Sequence, residues 1–211
     1  MTRMAYELRD VSPGLWIWRV ERANWQHSSG WDPLVASTCV ESGAEVAILD
    51  GVAPPDAATR IWERLDARPP TMAVVLTPNH LRDVHLFVRR YGCRAYGPWF
   101  FWRGNLPEVE LEPIKPGAEL SGGLVALCDG RGGYETPIWL PNQQTLVFAD
   151  CLIAPRGELR VRLTSPREQR TLSALRALLD LPFERVIVSH GEPLHDRAAF
   201  QEALDRAAWQ S

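Results

Sequence analysis

Apolar and polar residues alternate in short segments along the first third of the chain, a pattern typical of β-strands. Residues 14–21 (GLWIWRVE) and 35–42 (VASTCVES) are two such segments, and the polar stretch 24–33 (NWQHSSGWDP) lies between them. Strands that are joined by a polar loop in this way pair as antiparallel neighbours. This part of the chain therefore predicts an antiparallel sheet.

The next part of the chain contains apolar runs that are separated by helical patterns. The runs EVAILDG (45–51) and TMAVVLT (71–77) flank a helix with prolines at its entry and exit, residues 54–70. Because no hairpin turn lies between the two runs, they predict the parallel strands of a βαβ unit. A second helix is predicted at 81–92, where the final glycine is a suitable C-terminal cap.

The second half of the chain repeats this order. Short β-like segments between glycine, proline and Asn-Gln turns occupy residues 109–152, and a helix is predicted at 165–182. A buried strand at 185–191 (RVIVSHG) then precedes a terminal helix at 196–209. This order predicts an α/β protein, an αββα sandwich in which two mixed β-sheets are flanked by helices, formed as a single domain over residues 1–211.

The composition places the chain among ordinary globular proteins. Of the 211 residues, 45% are apolar and 23% are charged, and the formal net charge is −3. This charge gives no reason to expect nucleic acid or a membrane as a partner. The longest apolar runs are too short to span a bilayer and the N-terminus has no apolar signal-peptide core, so we expect a cytoplasmic protein. The four cysteines include no CxxC pair, which favours buried, reduced thiols.

Polar residues that follow buried strands are the candidates for a functional site. In folds built of sheets and helices, the ends of several strands meet at one edge and provide the ligand site. A single aspartate or histidine at such a position is more often a turn or packing residue. Four of them together indicate a site: Asp50, His80, Asp150 and His190.

These positions resemble the metallo-β-lactamase superfamily over nearly the whole chain. Members of that superfamily carry a strand ending in a sequence like LIDTG, a THxHxDH loop, a PGHTPG loop, an LFTGD strand end and a late GH pair. The matching segments here are AILDG (47–51), TPNHLRD (77–83), CDGRGGYE (128–135), LVFAD (146–150) and SHG (189–191). The resemblance implies the αββα fold and a metal site at the strand ends.

Several ligand positions of the superfamily are substituted in this chain. Pro78, Arg82 and Arg131 stand where the superfamily has metal ligands, and Asp83 replaces a histidine. Arginine cannot coordinate a metal, and its fixed positive charge close to a divalent ion is unfavourable by several kcal/mol. The substitutions therefore argue against a binuclear site. Three positions keep their residue type: His80, Asp150 and His190.

The first hypothesis is a mononuclear metal site. Two imidazoles and two carboxylates are an acceptable ligand set for zinc, iron or manganese. The protein would then be a hydrolase of an ester, thioester, amide or phosphoester, with Asp150 and His80 as its catalytic residues. The ligands would be His80, Asp83, Asp150 and His190.

The second hypothesis is a metal-free binding protein. In this case Arg82 and Arg131 replace the charge of the lost metals, because buried carboxylates need a cation and arginine binds them with two parallel hydrogen bonds. The carboxylates that they would neutralise are Asp83, Glu135 and Asp150.

Either hypothesis predicts a cleft that binds a small molecule, and the second also allows a protein partner. In the superfamily the loop that corresponds to residues 24–33 arches over the site, so Trp25 and Trp31 are expected to contact the ligand. The segment WFFW (99–102) either lines the same cleft or forms the contact of a homodimer. The residues expected to bind substrate are Arg82, Arg131, Glu135, Trp25 and Trp31.

Overall fold

A computed structural model describes residues 5–22, 25–26, 31–130, 134–162 and 168–209 of the chain. Two β-sheets form the centre of the described structure, and helices cover their outer faces.

The first sheet has seven strands, which lie side by side in the order of the sequence. Its first four strands are antiparallel neighbours, whereas the last four run parallel to one another. The strands are β1 (Tyr6–Ser12), β2 (Leu15–Glu21), β3 (Leu34–Ser42), β4 (Glu45–Leu49), β5 (Met72–Val74), β6 (Arg94–Gly97) and β7 (Glu112–Pro113).

The second sheet has six strands in the spatial order β15-β14-β11-β10-β9-β8. It is mixed as well, because β11 and β14 are parallel and the other neighbours are antiparallel. A separate two-stranded hairpin is formed by β12 and β13. The strands are β8 (Glu119–Leu120), β9 (Leu124–Ala126), β10 (Ile138–Leu140), β11 (Thr145–Phe148), β12 (Leu152–Ile153), β13 (Arg160–Val161), β14 (Arg185–Val188) and β15 (His195–Asp196).

Four short α-helices complete the described structure: α1 (Thr59–Ala67), α2 (Val84–Tyr91), α3 (Glu168–Ala177) and α4 (Arg197–Asp205). Helix α2 ends as the sequence predicts, since Gly92 adopts the left-handed conformation (φ 64°) and donates its N–H to Val88. Helix α4 begins at an N-cap, Asp196, whose carboxylate accepts a hydrogen bond from the backbone N–H of Ala199. None of the helices in these described ranges is long and apolar enough to cross a bilayer.

The apolar residues of the strands form three layers of core. In β2, Leu15 and Ile17 point between the two sheets, whereas Trp16 and Trp18 point towards helices α1 and α2. The same division holds in the second sheet, where Val147 of β11 faces the first sheet and its neighbours face α3 and α4. Both faces of each sheet are therefore covered, which explains why central strands such as LWIW are apolar at every position.

These layers confirm the predicted αββα sandwich of two mixed sheets flanked by helices. The predicted βαβ unit is also confirmed, because β4 and β5 pair in parallel. Strand β1 was not predicted from the sequence. It lies at the edge of the first sheet and carries polar residues between half-buried ones, so its apolar content is low.

The ends of four strands meet at one edge of the sandwich. The backbone N–H of Ala36 in β3 donates to the carbonyl of Ser189, and Val35 forms an isolated bridge with His190, so the end of β14 contacts the first sheet. On the other side, the N–H of Thr136 donates to the carbonyl of Leu76, which follows β5. These contacts across the two sheets fix the positions of the residues that follow β4, β5, β11 and β14.

Gly191 offers a test of this edge, because it adopts φ +98° and a Cβ there would lie 2.1 Å from the carbonyl oxygen of Ala154. We expect Gly191→Ala to lower the free energy of unfolding by about 2 kcal/mol or more, since both the backbone conformation and the space exclude a methyl group. Gly104→Ala is the matched control, as a Cβ there meets no atom within 4 Å. Urea unfolding followed by circular dichroism measures both variants. Equal stability of Gly191→Ala and wild type would contradict this packing.

Candidate metal site

Three buried side chains bring their metal-binding atoms together at this edge. His80 lies in the turn after β5, Asp150 follows β11 by two residues, and His190 follows β14 by two residues. The two Nε2 atoms of the histidines are 3.2 Å apart. Asp150 Oδ1 lies 3.3 Å from Nε2 of His80 and 3.2 Å from Nε2 of His190. The three atoms therefore form a nearly equilateral triangle.

The size of this triangle fits a single metal ion. With bonds of about 2.0–2.2 Å to nitrogen and oxygen, the ligand atoms of a tetrahedral zinc ion lie about 3.3–3.5 Å from one another. Asp150 Oδ1 is fully buried and, among the described residues, has no partner with hydrogen-bond geometry. A buried carboxylate oxygen of this kind calls for a cation. Two imidazoles and one carboxylate suit zinc, iron or manganese, so these residues fit such an ion.

Asp50 holds His80 in the orientation that a metal ligand needs. Its Oδ2 lies 2.7 Å from Nδ1 of His80, and its Oδ1 accepts a hydrogen bond of 2.8 Å from the backbone N–H of Leu76. Ser189, next to His190, reaches the same Oδ2 at 3.4 Å. A proton on Nδ1 of His80 is thus directed to Asp50, which leaves the lone pair of Nε2 pointing into the triangle. Asp50 has φ +48°, a conformation that costs about 1–3 kcal/mol and that aspartate tolerates better than most residues.

Glu135 holds the backbone around Asp150. Its side chain is fully buried and accepts hydrogen bonds of 2.7–2.9 Å from three consecutive backbone N–H groups, those of Ala149, Asp150 and Cys151. The N–H of Glu135 itself donates to the carboxylate of Asp129 at 3.0 Å. Glu135 therefore fixes the turn that points Asp150 into the site.

The protonation of the three side chains follows from their burial and their neighbours. Burial and the Arg82 guanidinium act against protonation of His80, but Asp150 and Asp50 outweigh them and raise its pKa above the ordinary value. Burial lowers the pKa of His190 to about 4, so this imidazole is neutral at pH 7 and can donate a lone pair. Burial opposes the charge of Asp150, yet His80 and His190 hold the pKa of its carboxyl well below the usual range.

Two arginines lie beside the three candidate ligands but cannot themselves bind a metal ion. Arg82 has φ +43°, and its Nη1 donates to the backbone carbonyls of Ala36 (2.9 Å) and Asp50 (2.6 Å). Arg162 places its Nη1 3.5 Å from Asp150 Oδ1 and its guanidinium 5.1 Å from the ring of Trp31. Both guanidinium groups add positive charge next to the three candidate ligands.

A cleft of about 300 Å³ opens onto the three candidate ligands. Trp31 forms part of its wall, with its ring centroid 5.0 Å from that of His190, and its backbone carbonyl accepts a hydrogen bond of 2.7 Å from Nε1 of Trp25. Among the residues that the structure describes, the wall carries three arginines, Arg22, Arg82 and Arg162, and one carboxylate, Asp150.

Solved structures with the same architecture cover almost the whole chain. A metallo-β-lactamase from Pontibacter korlensis superposes with a TM-score of 0.72 and 15% identity, over 96% of this chain and all of that one. The metallo-β-lactamase FIM-1 from Pseudomonas aeruginosa, in its mono-zinc form, gives 0.71 and 19% over 95% of each chain. A metallo-β-lactamase family protein from Thermus thermophilus gives 0.65 and 17% over 92% of this chain and 79% of that one.

The chain has the metallo-β-lactamase fold. No protein-family model and no curated protein sequence matches it. With identities below 20%, the similarity concerns the fold, and the chemistry of the site has to be argued from the residues of this chain.

Within this metallo-β-lactamase fold, the structure brings together only part of the predicted site. His80, Asp150 and His190 lie together, but Asp83 lies outside this group. The Oδ2 of Asp83 instead accepts a hydrogen bond of 2.8 Å from the N–H of Ala53, and Asp83 is the N-cap residue of α2. The four-ligand set is therefore reduced to three in the described part of the chain.

The predicted partners of the arginines also differ from those in the structure. Arg82 binds backbone carbonyls and does not pair with Asp83, Glu135 or Asp150 among the contacts described. Glu135 is completely buried, so its predicted role in substrate binding is replaced by a role in holding the backbone near Asp150. Arg131 lies outside the described residues. Trp25 and Trp31 line the cleft, and their contact with a ligand stays a prediction.

Among the residues that the structure describes, four that line the cleft were absent from the predicted set: Arg22, Val35, Asn79 and Arg162. Asp50 stood among the four strand-end residues, but its position behind His80 was not foreseen. Asn79 directly precedes His80 in the TPNHLRD loop, and this adjacency is the signal that could have identified it.

Glu135→Gln tests the support of Asp150. The amide oxygen of glutamine can replace only one oxygen of the carboxylate, and its NH₂ group faces backbone donors, so at least one buried N–H loses its partner. We expect the free energy of unfolding to fall by about 2–4 kcal/mol, measured by urea unfolding. Glu110→Gln, at an exposed position, is the control and should change stability by less than about 0.5 kcal/mol. A Glu135→Gln protein as stable as this control would refute the role of Glu135.

Proposed function

We propose that this protein binds one divalent metal ion through His80, Asp150 and His190 and acts as a mononuclear metal-dependent hydrolase. The observation that carries the proposal is the triangle of ligand atoms with edges of 3.2–3.3 Å. Its substrate would be an ester, thioester, amide or phosphoester. Zinc is the ion that we favour, because the edges match tetrahedral zinc and FIM-1, a structure with the same fold, is described in a mono-zinc form.

His80, Asp150 and His190 would hold the ion, which would supply a Lewis acid able to lower the pKa of water towards neutrality. The residues of the chain perform the remaining tasks. Asp50 keeps the lone pair of His80 directed into the site, and Glu135 fixes the backbone of Asp150. The second carboxylate oxygen of Asp150 would be the group that orients the nucleophilic water. Arg162, beside Asp150, stabilises negative charge that develops on the substrate.

Arg162 and Arg82 also limit the site to one ion. Both guanidinium groups carry a permanent positive charge next to the triangle, and neither can become a ligand. Both would repel any divalent ion. His80, Asp150 and His190 offset this repulsion for one ion, whereas the described residues offer no further group of ligands for a second. This electrostatic argument supports a mononuclear site.

A second candidate function is a metal-free binding protein. The contact of 3.5 Å between Arg162 and Asp150 Oδ1 favours it, because a guanidinium there already neutralises part of the carboxylate charge. Protonated His80 would then bridge Asp50 and Asp150 as a cation. In such a protein the cleft would bind an anionic or aromatic small molecule without hydrolysing it.

Metal binding separates the two candidates. After removal of metals with a chelator, we expect the protein to take up one zinc ion per chain and to gain thermal stability, because the ion binds only the folded state. His190→Ala and Asp150→Ala should lose this uptake. Asp83→Ala is the control that keeps it, since Asp83 binds the backbone of Ala53 instead. Elemental analysis and differential scanning calorimetry give the readouts, and unchanged stability with no zinc uptake would favour the metal-free protein.

Hydrolysis is tested on the zinc-loaded protein with a panel of nitrophenyl esters, thioesters, anilides and nitrophenyl phosphates. We expect turnover of at least one class, reduced by about 100-fold or more in Asp150→Ala, because the carboxylate both holds the ion and orients the water. The zinc-loaded Asp83→Ala protein should retain its activity. Stoichiometric zinc without turnover of any class would reject the hydrolase and leave a metal-binding protein.

A further inference from the structure

A group of four aromatic side chains, two of them exposed and two half-buried, lies beside the cleft and has no part in the proposed metal chemistry. We call Trp99, Phe100, Trp102 and Tyr134 the aromatic platform. Phe100 lies at its centre, with ring centroids 5.0 Å from Trp99, 5.6 Å from Trp102 and 6.2 Å from Tyr134. Trp102 and Tyr134 are also in contact, at 6.3 Å. These distances are those of aromatic side chains that pack on one another.

The platform exposes a large apolar surface. Trp99 is 66% exposed and Trp102 is 49% exposed, although both belong to a residue type that is usually well buried. Apolar side chains that stand together at the surface mark sites of ligand or protein binding. Packing within the protein does not account for the exposed parts of Trp99 and Trp102.

Hydrogen bonds fasten the platform to the turn that carries His80. Nε1 of Trp102 donates to Oδ1 of Asn79 at 3.2 Å, and the Asn79 amide donates to the hydroxyl of Tyr134 at 2.7 Å. Asn105 donates to the backbone carbonyl of Pro78 at 2.9 Å. Asn79 also lines the cleft, so one side chain belongs to both surfaces. The platform is therefore a fixed extension of the cleft wall.

The cleft itself selects for negative charge. In the described part of the chain its wall carries three arginines and one carboxylate, whereas the formal net charge of the whole chain is −3. Nη1 of Arg162 lies 3.5 Å from Oδ1 of Asp150, one of the candidate ligands. A positive cleft of this kind attracts anions and repels cations.

We propose that the cleft and the aromatic platform form one binding site for an organic anion that carries an aromatic group. The anionic end binds among Arg22, Arg82 and Arg162, and the aromatic group stacks on Trp102 and Trp99. If such an anion is the substrate of the site at His80, Asp150 and His190, this inference rests on the proposed hydrolase. Its test is a binding measurement, which does not depend on turnover.

The ligand that we propose for this site is a small molecule and not a second copy of the chain. Asn79 joins the apolar platform to a cleft of about 300 Å³, a volume that suits a small organic molecule. The charge of that cleft is matched by a carboxylate or phosphate group.

The test is isothermal titration calorimetry with three probes: 2-naphthoate, 2-naphthamide and acetate. Each is measured on chelator-treated and on zinc-loaded protein. We expect 2-naphthoate to bind at least about ten-fold more tightly than 2-naphthamide, which lacks the charge, and than acetate, which lacks the rings. Equal affinity for 2-naphthoate and 2-naphthamide, or no binding of 2-naphthoate to either form, would overturn the proposal.

Substitutions in the platform and in the cleft test which residues bind each end of the ligand. Trp102→Ala and Trp99→Ala should each lower the affinity for 2-naphthoate about five-fold or more and leave the affinity for acetate unchanged. Arg162→Ala should weaken both anions. Leu106→Ala is the matched control, because Leu106 is 64% exposed on the same segment and is not one of the platform residues, and it should bind all probes as wild type does.

The remaining outcomes separate this inference from its alternatives. Sedimentation of wild type as a dimer and of Trp102→Ala as a monomer would overturn the small-molecule site in favour of a second copy. The chelator-treated protein could bind 2-naphthoate and yet take up no zinc. This result would support the binding site for an aromatic anion and would reject the metal-dependent hydrolase. If Trp99→Ala and Trp102→Ala are both folded by circular dichroism and bind 2-naphthoate as tightly as wild type does, the aromatic platform is not part of the binding site.

Discussion

The apolar layer between the two sheets determines where every residue of the site lies. Ala47 and Leu49 of β4 and Val74 of β5 pack in the same cluster as Val147 of β11 and Ile187 of β14. Because strands alternate their side chains between two faces, this packing fixes the register of each strand against the opposite sheet. The polar residues that directly follow these strands are therefore brought to one edge. A shift of one residue in any of the four strands would exchange the side chains that face the opposite sheet with those that face the helices.

The buried charges at this edge differ in how fully they are satisfied. Asp50 is bonded to His80 and the backbone of Leu76, and Glu135 accepts three backbone N–H groups. Asp150 Oδ1 has three nitrogen atoms within 3.5 Å and no hydrogen bond in the described structure. Since buried polar groups are normally paired, this one oxygen marks the place where an external cation fits. The two fully bonded carboxylates hold it there.

The sequence predicted the elements that depend on local patterns. The parallel pair β4–β5, the C-terminal cap of α2 at Gly92 and the N-cap at Asp196 all follow from apolar runs and capping residues. The positions of His80, Asp150 and His190 could be predicted as well, because each follows a buried strand.

The directions of side chains within loops could not be predicted in this way. Asp83 lies three residues from His80, but its carboxylate turns to the backbone of Ala53, and Arg82 with its left-handed φ reaches carbonyl groups. Arg162 follows β13 by one residue, and no pattern of residues indicated that this short hairpin strand ends at the site. Such contacts depend on φ and ψ at single residues, for which spacing and composition carry no information.

X-ray absorption at the zinc edge of the zinc-treated protein tests the central claim most directly. The structure predicts a first shell of nitrogen and oxygen at about 2.0–2.2 Å, with the outer-shell signature of two imidazoles and one ion per chain. A sulfur scatterer at about 2.3 Å would place the zinc on a cysteine instead. A second metal at about 3.5–4 Å would show a binuclear site. Either result would contradict a single ion held by His80, Asp150 and His190.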